Sequence, residues 1–133
     1  PLTTHHSPLT THHSKHNIKR KARHCLPMKL QNLKVLDLSL FLPGPHLTMM
    51  MADHGADVIK VEPPGGEPVR EIGLKQAGFS TWFRNTHRGK RCIQLDLKNA
   101  EDKALLLKLA DQADVLVEAF RPGVAARLGI DYA

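Results

Sequence analysis

Between Leu33 and Leu128 the apolar positions fall into short runs that switch repeatedly between strand-like and helix-like spacing. Residues 34–38 (KVLDL) read as a strand, followed by the turn-rich LPGP at 42–45. Pro45 suits the first position of a helix, because its missing N–H would lack a partner there in any case. Leu47, Met50, Met51 and His54 then recur at helical spacing, and Gly55 ends that helix. Residues 56–61 (ADVIKV) read as the next strand and 63–68 (PPGGEP) as a loop. The periodicity over 69–90 is weak and predicts irregular chain with one helical turn near 81–83.

Residues 92–97 (CIQLDL) alternate, with Ile93, Leu95 and Leu97 on one face and Gln94 and Asp96 on the other, so this strand is expected to be half buried. Asn99 can cap a helix whose early Asp102 favours the positive N-terminal end. Leu105, Leu106, Leu109 and Ala110 supply its expected core face, with Lys103, Lys108 and Gln112 turned outward. Residues 113–117 (ADVLV) are more continuously apolar, as a central parallel strand should be, and 123–128 predict a short closing helix. Strand–helix alternation with short loops argues an α/β fold, a parallel sheet with flanking helices. The pattern by itself leaves a compact domain of another layered type open.

A chain of 133 residues can bury one real core but not two, and its 41% apolar and 24% charged content is that of a globular domain. The net charge of +6 would invite a nucleic-acid or anionic-surface partner, so its location matters. Residues 1–30 carry Lys15, Lys19, Arg20, Lys21, Arg23 and Lys29 and no acidic residue; 31–133 carry 13 basic and 13 acidic residues. The basicity belongs to the leading segment, and the domain is neutral. With one Trp and one Tyr there is little material for stacking on bases, so no nucleic-acid partner is expected. The uncharged stretch around Pro43, Gly44 and Pro45 is broken and too short for a membrane span. Cys25 and Cys92 show neither a C-x-x-C spacing nor a secreted framework, and a cytoplasmic, reducing setting is the default.

Residues 1–29 read as a separate extension. PLTTHHS occurs at 1–7 and again at 8–14, and His5, His6, His12, His13, His16 and His24 concentrate there. Paired imidazoles suit zinc, copper or nickel, which is one reading. The plainer reading is an unstructured segment, since this polar composition cannot support a core. An organellar transit segment is a third reading; the stretch is basic and acid-free but lacks an amphipathic stripe.

In open parallel sheets, ligands bind beyond the carboxyl ends of the strands. The loops concerned are 40–45, 62–65, 96–99 and 118–123. They bring Lys98 and Arg121, with Arg127 one helix further on, beside Phe41, Leu42, Pro43 and Phe120. That mixture suits a ligand with an aromatic base, phosphates and an apolar arm, and helix starts at Pro45 and Asn99 add N–H donors for anions. No G-x-G-x-x-G, Walker A lysine, G-x-S-x-G, H-E-x-x-H or cysteine–histidine zinc spacing is present. No metal is therefore expected in the domain.

The ordered motifs VLDLS at 35–39, PGP at 43–45, ADHGADVIKVEPP at 52–64, RGKRCIQLDLK at 88–98, ADVLVEAFRPG at 113–123 and RLG at 127–129 resemble the opening of class III CoA-transferases. That family includes formyl-CoA and carnitine CoA-transferases and the α-methylacyl-CoA racemases. The resemblance covers 30–133 and implies the N-terminal part of a Rossmann-like large domain within interlocked homodimers, acting on acyl-CoA. It implies CoA contacts at Leu42 and Pro43, at Leu95, Asp96, Leu97 and Lys98, at Ala119, Phe120 and Arg121, and at Arg127. Four positions depart from the family pattern: formyl-type transferases often carry His and Gln where Leu40 and Leu42 stand here, some members place an arginine where this chain has Pro63, and an asparagine of the family is Ala119 here. The resemblance further implies that the acyl-carrying aspartate of the transferases, or the His and Asp of the racemases, lies beyond Ala133. No catalytic residue is assigned, and Asp37, Asp53, Asp57 and Asp114 read as structural. The implied function is CoA binding within an acyl-CoA:carboxylate CoA-transferase; a racemase fragment and a catalytically silent fragment are the alternatives. The basic run Arg84, His87, Arg88, Lys90 and Arg91 is open between phosphate or subunit contacts and a solvated loop.

Overall fold

The computed structural model describes residues 27–131; the extension read over 1–29, with its repeat, lies outside these residues apart from 27–29. In chain order the elements are β1 (Lys34–Asp37), α1 (Pro43–Asp53), β2 (Asp57–Glu62), a 3-10 turn (Pro68–Arg70), β3 (Lys75–Gln76), β4 (Phe79–Ser80), α2 (Thr81–Thr86), β5 (Lys90–Gln94), α3 (Ala100–Ala110), β6 (Val115–Val117) and α4 (Val124–Leu128). The parallel sheet runs β5-β2-β1-β6, and β3 and β4 form a small antiparallel hairpin beside it. Strand order therefore proceeds outward from β1 through β2 to β5 and then reverses to β6, the doubly wound α/β arrangement.

Side chains alternate across the sheet, and the two faces have different chemistry. Leu36 and Leu38 of the first strand segment and Val61 of β2 face α3, where they join Leu95 and the fully buried Leu106 in the larger core cluster. Val35, Ala56 and Val58 face the other way and pack with Met51 and Ala52 of α1. Asp37, Lys60 and Glu62 share that second face by the same period-two rule, and Lys60 lies opposite both Asp37 and Cys92 in register. Toward the carboxyl end of the strands, one face is thus apolar and the other is charged.

Several boundaries differ from the sequence reading, each for a local reason. Helix α1 begins at Pro43, not Pro45, and buries Pro45, Thr48 and Met49 while Leu47 and Met50 stay exposed. The early start brings Gly44 against the loop after β1, where a Cβ would collide with the Ser39 side chain. Strand β5 covers 90–94 and not 92–97. Leu95 N still donates to Glu62 O (3.0 Å), but Asp96 N then turns to Asp102 Oδ2 (2.8 Å) and Asn99 N to Asp96 O (2.8 Å), which ends the ladder. Helix α3 starts as expected, with Asn99 Oδ1 accepting from Glu101 N, yet Leu105 of its expected core face is exposed. Strand β6 has a neighbour on one side only among the described residues, and its valines are half buried instead of central. The weakly periodic stretch holds the hairpin and α2, whose cap Ser80 accepts from Phe83 N.

No helix among the described residues is long and apolar enough to cross a membrane, and no three His, Cys, Asp or Glu side chains among them gather as a metal site.

Candidate functional site

At the carboxyl ends of β1, β2 and β5 the chain leaves a cleft of about 560 Å³, within the ordinary range of about 300–1,000 Å³ for small-molecule sites. Leu38 and Leu40 wall it from the first strand, Pro63 and Pro64 from the second, and 95–98 from the fifth. Phe120 and Leu128 close it from the loop after β6 and from α4. The walls are mostly apolar, with Glu62, Asp96 and Lys98 as the polar residues of the lining. Asp96 is already engaged locally, its Oδ1 accepting from Lys98 N at 3.0 Å. Lys98 is exposed and makes no ion pair among the described residues.

Of the residues singled out in the sequence, Leu95, Asp96, Leu97, Lys98 and Phe120 come together around this cleft. Leu42 does not line it; it borders a second hollow of about 480 Å³ between α1 and α2, with His46, Trp82, Asn85 and Arg88. Pro43 starts α1 and borders neither hollow. Ala119, Arg121 and Arg127 are exposed near the rim elements without lining the cleft themselves.

Behind the cleft, on the charged face of the sheet, lies a network that the sequence reading did not single out. Asp37, fully buried, accepts from Ser39 N (3.0 Å), Ser39 Oγ (2.5 Å), Thr48 Oγ1 (2.6 Å) and Lys90 Nζ (3.1 Å). Burial opposes its ionisation, but Lys60, the Ser39 and Thr48 hydroxyls and Lys90 outweigh that and hold the carboxyl below its ordinary range. Lys60, also fully buried, donates to Ser39 O and lies 3.2 Å from Glu67 Oε2 and 3.8 Å from Asp37 Oδ1. Glu67 Oε1 accepts from Phe41 N (2.8 Å), and Glu67 N donates to Glu62 Oε2 (2.8 Å). Arg70 completes the chain with a two-pronged contact to Glu62, Nε to Oε2 at 2.8 Å and Nη2 to Oε1 at 2.6 Å.

Burial works against ionisation of Glu62 too, yet Arg70 and the Glu67 N–H bring its pKa down to about 2. The Arg70 guanidinium lies over the Phe83 ring at 3.8 Å, and Phe83 stacks on His87 at 4.2 Å. His87 is buried; desolvation and then the positive charges of Lys90 and Lys60 push its pKa down to about 4. Burial likewise lowers Lys90. Cys92, its thiol against Glu62, is pushed up to about 11 by desolvation and then by that carboxylate.

Of the basic run, all but Arg84, which is exposed and among the described residues reaches only Gln76 Oε1 at 3.5 Å, are internally engaged. Lys90 pairs with Asp37, Arg88 with Asp53 (Nη2 to Oδ2, 2.5 Å) and Arg91 with Asp57 (2.7 Å), while His87 is buried. Asp114 accepts from Lys34 N at 2.8 Å, so all four aspartates read as structural hold structural contacts. A clue to the network is present in the sequence: beyond the strand-opening Lys34 and Asp57, the neighbours of Asp37, Lys60 and Glu62 on their strands are apolar. Charges at inward positions of a covered sheet persist only when paired.

Comparison with known proteins bears on the same stretch. The model of CoA-transferase family III matches residues 30–133. A succinyl-CoA:mesaconate CoA-transferase of Haloarcula hispanica is 42% identical over 109 residues, which are 77% of this chain and 27% of that protein. An acetyl-CoA:oxalate CoA-transferase of Acetobacter aceti is 46% identical over 101 residues, 75% of this chain and 26% of its own length. The crystal structure of a CAIB/BAIF family protein from Brucella suis superposes with a TM-score of 0.75 at 37% identity, covering 80% of this chain and 30% of that one. The chain thus spans about a quarter of the length of the curated relatives it matches. With a family match over residues 30–133, and the same sheet in a relative of known structure, the chain belongs to CoA-transferase family III, whose substrates are CoA thioesters.

Proposed function

We propose that residues 30–133 form the CoA-binding N-terminal part of an acyl-CoA:carboxylate CoA-transferase. The observation that carries this reading is the cleft at the carboxyl edge of the parallel sheet, apolar along its walls and cationic at Lys98. An adenine ring or pantetheine arm gains by burying apolar surface against Leu38, Leu95, Leu97 and Phe120. A phosphate gains a charge-assisted contact from Lys98, with Arg121 and Arg127 at hand near the rim. The carboxylates nearest the cleft are committed: Glu62 to Arg70, Asp37 to its buried partners, Asp96 to the turn before α3. That engagement supports the reading, implied by the family resemblance, that the acyl-carrying carboxylate of the whole enzyme comes from elsewhere in an interlocked pair of subunits.

The test is calorimetric titration of the 133-residue chain with free CoA. Lys98→Ala and Arg127→Ala should each weaken binding in a salt-dependent way, by roughly ten- to hundredfold if each removes one charge-assisted phosphate contact of about 1.5–3 kcal/mol. Unchanged affinity in both variants would overturn the assignment.

A further inference from the structure

Leu40 is the cleft's wall from the loop after β1, and the backbone on both sides of it is held by buried charge. On one side, Ser39 gives its N–H and hydroxyl to Asp37 and takes the Lys60 ammonium on its carbonyl. On the other, Phe41 has φ +66°, a left-handed backbone that a bulky residue rarely adopts, and its N–H donates to Glu67 Oε1 at 2.8 Å. Phe41 is itself half exposed, so its ring is not buried to offset that strain. The acceptor that holds it is a carboxylate almost wholly buried and facing Lys60 at 3.2 Å.

The same residue governs the opposite wall. Pro63 and Pro64 line the cleft from a loop that closes on itself through Gly66 N to Pro63 O at 2.9 Å. That loop is tied back where Glu67 N donates to Glu62 Oε2 at 2.8 Å. One glutamate thus fastens two walls, the first by its side chain and the second by its backbone.

We infer that Glu67 is a positioning residue for CoA, setting the affinity of the cleft by holding Phe41 left-handed and so fixing Leu40, without touching the ligand. This inference rests on the reading that the cleft takes CoA. The side-chain oxygen that receives the Phe41 N–H is the part that matters; its negative charge serves Lys60.

Three chains separate these roles: wild type, Glu67→Gln, which keeps an acceptor oxygen, and Glu67→Met, which has the bulk but no acceptor. Each is titrated calorimetrically with free CoA, and exchange of the Phe41 amide proton is followed by NMR. The expected result is Phe41 protection retained in Glu67→Gln and lost in Glu67→Met. CoA affinity should stay within about threefold for the first and fall about tenfold or more for the second. Because Glu67→Met strands the buried Lys60 charge, the double variant Lys60→Met with Glu67→Met replaces it if the single variant does not fold, with Lys60→Met alone as its reference because that change by itself removes the partner of the Ser39 carbonyl. Equal affinity in wild type and the methionine variant, or Phe41 protection that survives it, overturns the inference. A wild-type chain that binds no CoA instead overturns the reading of the cleft, and the inference with it.

Discussion

Replacing Arg70 by methionine removes the two-pronged partner of Glu62 while keeping an apolar chain beside Phe83. In the folded protein Glu62 titrates at about 2 in place of an ordinary 4.5. At about 1.4 kcal/mol per tenfold change in proton affinity, that difference corresponds to about 3 kcal/mol of stability at neutral pH. Two features reduce the part that Arg70 supplies. The Glu67 N–H stays bound to Glu62 in the variant, and the Arg70 side chain is 35% exposed and therefore partly screened. A loss of about 2 kcal/mol at pH 7 is the expected outcome.

The sign with pH follows from the lowered pKa. Stability gained by ionised Glu62 is fully present above about 4.5 and is lost as the pH falls towards about 2. Urea unfolding of both proteins at pH 7 and pH 3.5 should therefore show a gap that narrows at the lower pH. A remainder of roughly 0.5–1 kcal/mol persists from the lost contact between guanidinium and the Phe83 ring. A gap below about 0.5 kcal/mol at pH 7, or one of equal size at both pH values, would refute the ion-pair reasoning.

Three further outcomes are expected. Gly44→Ala places a methyl group against the Ser39 side chain and should cost about 1–3 kcal/mol in thermal or urea unfolding, with an unchanged midpoint arguing against the close approach. His87 is neutral when folded, with a pKa near 4 against an ordinary 6.5, so stability should drop by about 3 kcal/mol as pH falls from about 6.5 to 4. That slope should flatten in His87→Gln, and an unaltered slope would place the titration elsewhere. Cys92, with its thiol near 11, should alkylate much more slowly than an ordinary thiol at pH 8, as read by mass spectrometry of its peptide.

The alternation of strands and helices was legible because its signal is local: short apolar runs at 34–38 and 56–61, a capping Asn99, and glycines at helix ends. The carboxyl-edge location of a cleft was legible too, since it follows from parallel strand order and not from particular side chains. Long-range effects were not. Strand β5 ends early because Asp102 reaches back to Asp96 N, a contact that no spacing rule anticipates. Leu47, Met50 and Leu105 hold helical core positions by pattern and yet are exposed among the described residues. The charged face of the sheet went unread because Lys60, Glu67, Arg70 and Lys90 are scattered over thirty positions and acquire a common purpose only once the strands pair.

The family resemblance carried specificity that patterning lacks, and the structure divides the positions it implied. Leu95, Asp96, Leu97, Lys98 and Phe120 surround one cleft, whereas Leu42 borders another hollow. The loop after β1 stands between the two, with Leu40 on one side and Leu42 on the other.

The most direct measurement is an NMR titration of the isotope-labelled 133-residue chain with free CoA, following every backbone amide. Saturable shifts clustered at Leu95, Asp96, Leu97, Lys98 and Phe120 are expected if CoA occupies the cleft. Saturating CoA that leaves those amides unmoved, or that shifts only residues of the hollow between α1 and α2, would contradict that occupancy.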